Sequence, residues 1–273
     1  MTYKESRFTW EEAVQWLRNQ PDQAELVRAA FYDDPLISAA NRYVRSSEWR
    51  ALRELLPKEK GHALDIGAGR GISSYALAND GWAVTALEPD PSDIVGAGAV
   101  RSLVKESGVN VNVIEKWGES LPFDSNTFDL VYCRAVLHHA RDLRELCKEV
   151  FRVLKPNGLF VATREHVISK KEDLDAFLNA HPLHNLYGGE HAYLLKEYTG
   201  AITDSGLKLE KVLNPASSDI NLYPQSKQKV KKQISSKLMA PDFLIPDFIL
   251  TLRASFSNAP GRHYSFVARK KHG

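Results

Sequence analysis

Residues 64–71 read LDIGAGRG, and residues 83–88 read AVTALE. The first is a short apolar run that opens into Gly67, Gly69 and Gly71; the second is an apolar run closed by Glu88 and Pro89. Such a run followed by spaced glycines predicts a strand that turns tightly into a helix. The glycines permit the turn and let a ligand approach the backbone at the helix N-terminus. About 20 residues on, a carboxylate at the end of the next strand can accept hydrogen bonds from both hydroxyls of a ribose. The two features together predict a ribose-bearing ligand at adjacent strand ends of an α/β sheet. A dinucleotide fingerprint would read GxGxxG. Here Ile72 follows Gly71, the string is GxGxG, and the pyrophosphate site is weakened.

Outward from this pair the chain alternates strand and helix patterns. HALDIG (His62–Gly67), AVTALE, VNVIEK (Val111–Lys116), FDLVYCRA (Phe128–Ala135), LFVATRE (Leu159–Glu165) and LKLEKVL (Leu207–Leu213) read as strands. Between Asp142 and Leu154, the residues Leu143, Leu146, Cys147, Val150 and Leu154 trace one helical face, which stops at Lys155–Gly158. Tyr193–Ser205 reads as another helix. The alternation predicts a doubly wound, mostly parallel sheet with helices on both faces. Before it, residues 1–60 read as a helical cap. Thr9 and Glu12 form a capping box, and a helix over Ser46–Leu56 places Trp49, Leu52 and Leu56 together. After the core at 61–214, residues 215–261 read as a helical insertion or lid. A last strand, HYSFVARKK (His263–Lys271), lies within 262–273.

The chain has 273 residues, 43% hydrophobic and 26% charged, an ordinary globular composition that can bury a sizeable core. A net charge of +2 does not argue for nucleic acid. The two cysteines, Cys133 and Cys147, fit no zinc or CxxC pattern and suit a reduced cytoplasmic setting. The N-terminus lacks a signal-peptide apolar core. No window approaches the roughly 18 apolar residues of a membrane span, so no stable membrane insertion is expected.

DIGAGRG, ALEPD, GESLPFDSNTFDLV (Gly118–Val131), VLHHARD (Val136–Asp142) and EVFRVLKPNGLFVA (Glu149–Ala162) occur here in sequence. In order and spacing they closely resemble the small-molecule class I (Rossmann-like) S-adenosylmethionine-dependent methyltransferases. The resemblance covers about 61–214 and implies a seven-stranded sheet, with the last strand antiparallel beside the sixth, and S-adenosyl-L-methionine as cofactor. It implies that Gly67 and Gly69, with Gly71 in the same turn, approach the methionine and ribose, with Asp65 near the amino group. Glu88 would hold the ribose diol, Pro89 would border the adenine, Gly118 and Glu119 would lie along its edge, and Arg134 would face the methionine. Trp117 stands where the family has an acidic residue, so either Trp117 covers the adenine or Glu119 supplies the acceptor.

Methyl transfer needs a base only where the acceptor must lose a proton, and histidine suits that near neutral pH. In similar enzymes acting on sugars attached to natural products, a histidine of the HH pair works with an acid at the fifth-strand end. That implies His138, with His139 beside it, as base and Glu165 as its partner. In HPLHNLYGGEHAY (His181–Tyr193) the residues His181, His184, Glu190 and His191 match no standard metal spacing. The stretch reads as acceptor-pocket lining rather than as a metal site. KQKVKKQISSK (Lys227–Lys237) and the apolar run after it read as a solvated helix face and a lid or homodimer contact. The expected function is O-methylation of a sugar or other metabolite. The alternatives are an RNA or protein methyltransferase and a non-catalytic cofactor-binding protein. The chain lacks the NPPY or DPPY string of amino-group nucleic-acid methylators, having Cys133-Arg134-Ala135 in its place, so no nucleic-acid partner is expected.

Overall fold

The structure, a computed structural model, describes residues 8–238, 241–255 and 259–271. Among the described residues there are eight strands: β1 His62–Ile66, β2 Ala83–Leu87, β3 Val111–Ile114, β4 Phe128–Arg134, β5 Leu154–Ile168, β6 Tyr193–Leu194, β7 Leu207–Leu213 and β8 Arg262–Lys270. They form one sheet in the order β3-β2-β1-β4-β5-β8-β7, with β6 pairing β5 off that path. Strands β1 to β5 pair in parallel, and β8 runs antiparallel between β5 and β7. The chain order reverses between β1 and β4, the switch point at which open α/β sheets bind ligands beyond their carboxyl ends.

Side-chain alternation divides the core into two layers. On β4 and β5, Leu130, Tyr132, Leu159 and Val161 enter one hydrophobic cluster, while Val131, Cys133, Phe160 and Ala162 enter the other. That is the period of two expected of strands covered on both faces. The first cluster also takes Tyr43, Trp49 and Leu52 from the N-terminal helices and Phe31 from the turn after Ala24–Ala29, so this region packs onto the sheet. Thr9 and Glu12 make the capping box on the helix Trp10–Arg18, and Ser46 caps Ser47–Arg53. The second cluster takes Leu143, Leu146, Cys147 and Val150 from the helix Leu143–Val153, which Asp142 caps.

Three features differ from the sequence pattern. β5 is longer than Leu159–Glu165, because Pro156–Gly158 end the helix at Val153 and the chain enters the sheet at once, with Leu154 beside Phe128. The helix expected from Tyr193 starts at Leu195. Tyr193 and Leu194 pair with β5 as β6, and the Leu194 amide donates to Glu197. The sheet therefore has an eighth, two-residue strand beyond the seven expected.

Candidate active site

A cavity of about 680 Å³ opens at the carboxyl ends of β1, β2, β4 and β5. That is within the usual range of about 300–1,000 Å³ for small-molecule sites. One half is built by the turn after β1 and by the end of β2. Gly67 has φ +63° and Gly69 φ +53°, left-handed values that favour glycine. A Cβ on Gly67 would stand 2.6 Å from the Val136 side chain. Gly71 caps the helix Ile72–Asn79 just behind this turn. Glu88 is 7% exposed; its Oε2 accepts from the Gly69 amide at 2.7 Å and its Oε1 from the Asp90 amide at 3.0 Å. It makes no ion pair among the described residues, and burial pushes its carboxyl up to about 7, against those two amides.

Asp65 lies buried beneath the turn. Oδ2 accepts from the Ser73 and Ser74 hydroxyls at 2.8 and 2.6 Å, whereas Oδ1 is buried with no hydrogen-bond partner. Burial raises this carboxyl to about 6 despite the serines. A buried carboxylate oxygen left open beside a glycine turn fits a ligand that donates there, as the amino group of S-adenosylmethionine would. Pro89, Trp117, Gly118 and Glu119 also line this half. Trp117 is about half exposed, with the Arg141 guanidinium 4.2 Å from its ring centre; Glu119 accepts from the Arg141 amide at 2.8 Å. Arg134 borders the cavity with its guanidinium clamped on Glu48 at 2.6 and 3.0 Å, a pairing across 86 residues that no sequence signal announces.

The other half contains the histidines. After β4 the chain passes through Ala135, at φ +56°, into a single helical turn that carries Leu137, His138 and His139. Glu165, fully buried on β5, holds this turn. Its Oε1 accepts from the Val136 amide, and its Oε2 accepts from the His138 amide at 3.1 Å and faces His138 Nδ1 at 2.7 Å. β5 bulges between Ala162 and Glu165, with Arg164 at φ +61° and donating to the Ile220 and Tyr223 carbonyls. Bulges next to sites re-aim side chains, here at the end of the strand that supplies Glu165 and His166. His138 Nε2 lies 3.5 Å from Glu190. Burial opposes charge on the His138 ring, but the two carboxylates outweigh it and lift the ring to about 9. Burial of Glu190 is likewise outweighed by the neighbouring histidines, which hold it below the usual carboxylate range.

The structure thus brings His138, His139 and Glu165 together and adds partners from afar. His181 and Glu190 of the histidine-rich stretch line the cavity with Leu183 and Tyr187; His184 and His191 do not. Trp10 comes from the first N-terminal helix and Tyr32 from the loop after Ala24–Ala29, and Tyr223 and Pro224 are the only cavity-lining residues of 215–260 among those described. Among the described residues the expected lid contributes only this first part to the rim, and the helices Lys227–Leu238 and Asp247–Ser255 pack together. Asp247 binds Lys227 and Lys231 at 2.9 and 2.6 Å.

Residues 64–162 match a family model described as a methyltransferase domain. A ubiquinone biosynthesis O-methyltransferase of Rhizobium leguminosarum is 32% identical over 175 residues, 61% of this chain and 68% of that protein. An uncharacterized methyltransferase of Bacillus subtilis, YcgJ, is 35% identical over 124 residues, 42% of this chain and only 45% of that protein. The crystal structure of YcgJ superposes with a TM-score of 0.55 at 23% identity, covering 83% of this chain and 99% of that one, a likeness of fold. With the glycine turn, Glu88 and the sheet order, these matches establish that the chain belongs to the class I S-adenosylmethionine-dependent methyltransferases.

Proposed function

We propose that the protein transfers a methyl group from S-adenosyl-L-methionine to a hydroxyl of a small molecule, a sugar or similar metabolite. The observation that carries this reading is the 2.7 Å contact between His138 and buried Glu165, on the wall of the cavity that also holds Glu88. When bound, S-adenosylmethionine supplies a methyl group on an already reactive sulfonium. The chain's task is then alignment, exclusion of water and removal of the acceptor proton. Glu165 orients the ring through Nδ1, and Nε2, which faces Glu190 at 3.5 Å, is the nitrogen that takes the acceptor's proton. Lifted to about 9 by the two carboxylates, the ring acts as base in the fraction that has shed its own proton, a fraction that grows as pH rises toward 9. The name of the Rhizobium relative, an O-methyltransferase, supports an oxygen acceptor. Trp10, Tyr32, Tyr187 and Tyr223 offer an amphipathic wall suited to a compact metabolite.

The intact turn and Glu88 argue against a non-catalytic protein. Pairing of Lys227 and Lys231 with Asp247 argues against a basic arm for RNA. The buried free thiols of Cys133 and Cys147 suit the cytoplasm, and no helix among the described residues is long and apolar enough to cross a membrane. Incubation with methyl-labelled S-adenosylmethionine and a panel of hydroxylated metabolites, RNA and protein tests the reading. Label in an oxygen-linked methyl of a metabolite is expected; label confined to RNA or protein would contradict it.

A further inference from the structure

Glu190 stands where two pairs of histidines converge. Its Oε2 lies 3.5 Å from Nε2 of His138 and 3.9 Å from Nε2 of His139, while its Oε1 lies 4.0 Å from Nδ1 of His181. His166 completes the second pair, with its ring centre 5.5 Å from that of His181. One ligand atom from each of His166, His181 and Glu190 lies within 4.8 Å of the others. Metal–ligand bonds of about 2.0–2.2 Å set donor atoms about 3–4 Å apart, so a small closure of this trio would seat one ion.

Ring orientation at His166 supports the same assignment, while Nδ1 of His181, the nitrogen nearest Glu190, accepts a long bond from the His184 amide at 3.4 Å that an ion would displace. A metal-bound imidazole donates its other N–H to a carbonyl or carboxylate, which fixes the tautomer. Nδ1 of His166 lies 3.1 Å from the Gly261 carbonyl. It therefore carries the proton, and Nε2, with no hydrogen-bond partner among the described residues, keeps its lone pair. The Tyr187 hydroxyl donates to Glu190 Oε1 at 2.8 Å and holds the carboxylate in place. All three donors line the cavity. His138 is placed differently, because a carboxylate faces each of its ring nitrogens.

We propose that His166, His181 and Glu190 bind one divalent transition-metal ion in the acceptor half of the cavity. Two imidazoles and one carboxylate suit Zn²⁺, Fe²⁺ or Co²⁺ better than Mg²⁺ or Ca²⁺, which prefer all-oxygen sites. Three protein ligands leave a position open to the cavity, where an acceptor hydroxyl binds and is acidified beside His138. That role rests on the methyltransferase reading above; the binding itself does not. Chain spacing does not disclose the site, because His166 comes from β5 and the other two residues from the stretch before β6.

Full-length protein stripped with a chelator is titrated with Co²⁺ and followed by visible absorption. One equivalent is expected to bind with ligand-field bands of a nitrogen-ligated ion. His181→Ala and Glu190→Gln should each weaken binding by at least about 10–100-fold. His191→Ala, in the same stretch but outside the cavity, should bind as the native protein does. Melting curves and S-adenosylhomocysteine calorimetry on the same variants establish that they fold. Protein that binds S-adenosylhomocysteine but takes up no stoichiometric Co²⁺ overturns the metal site alone. Co²⁺ uptake without S-adenosylhomocysteine binding overturns the methyltransferase reading and leaves the site standing. Uptake that survives both substitutions, or that is lost in His139→Ala and kept in His181→Ala, also overturns this ligand set.

Discussion

In the cofactor half of the cavity, Gly67, Gly69 and Glu88 belong to one strand–turn–helix–strand unit, and backbone amides fix the carboxylate. In the acceptor half, His138 with Glu165 buried behind it, and His181 and Glu190, come from three separate segments, and Tyr32 and Tyr223 line the same cavity from a loop of the N-terminal region and from the insertion. The first arrangement is local geometry, set by where glycine is needed and where a strand ends. The second is a polar cluster held together by tertiary packing, and its charges depend on neighbours far away in the chain. Substitutions in the first half should therefore act on cofactor affinity, and those in the second on turnover or stability.

The largest effect is expected in the acceptor half. His138→Ala should lower turnover by about 10²–10⁴-fold, the usual worth of a placed base, while leaving affinity for S-adenosylhomocysteine close to native. Steady-state kinetics beside calorimetry read both; a parallel loss of cofactor affinity would erase the division between the halves.

Glu48→Ala probes the long-range part of the construction. Arg134, close to the Phe31 and Tyr43 rings, would keep its charge without a partner, at a cost of about 3–5 kcal/mol. Urea unfolding measures this. A change below about 1 kcal/mol would mean that water or another group replaces Glu48 at no loss.

The cofactor half should show itself through pH. Burial holds Glu88 at about 7 in the free protein, while ribose hydroxyls need its charged form as acceptor. Binding must therefore expel a proton below that pH. Affinity for S-adenosylhomocysteine should fall as pH drops below about 7, approaching tenfold per unit, with Asp65, at about 6, steepening the fall. In Glu88→Gln the part due to Glu88 should disappear. Calorimetry from pH 5 to 8 settles the slope, and a flat profile in the native protein would refute it.

The same contrast explains what could be read from the sequence. The strands, the capped helices and the glycine–Glu88 pair were legible because each is written in a few neighbouring residues with a fixed period or offset. β6 was not, since two residues carry no periodicity and pair only because β5 runs on past Glu165. The Glu48–Arg134 clamp and the approach of Glu190 to His138 depend on packing between distant segments, for which one sequence offers no marker. The stretch from His181 to Tyr193 did mark itself by composition. Spacing does not mark which of its residues face the cavity: His181, Leu183, Tyr187 and Glu190 do, whereas His184 and His191 do not.

The central claim is that Glu88 and the glycine turn hold an S-adenosyl ligand. Titration calorimetry of S-adenosylhomocysteine into native protein and into Glu88→Ala at pH 8 tests it most directly. One site per chain is expected in the native protein. The variant should bind more weakly by about 1–3 kcal/mol, since two ribose hydroxyls lose their acceptor in a buried setting. Equal affinity in the two proteins, or no binding to the native one, would contradict it.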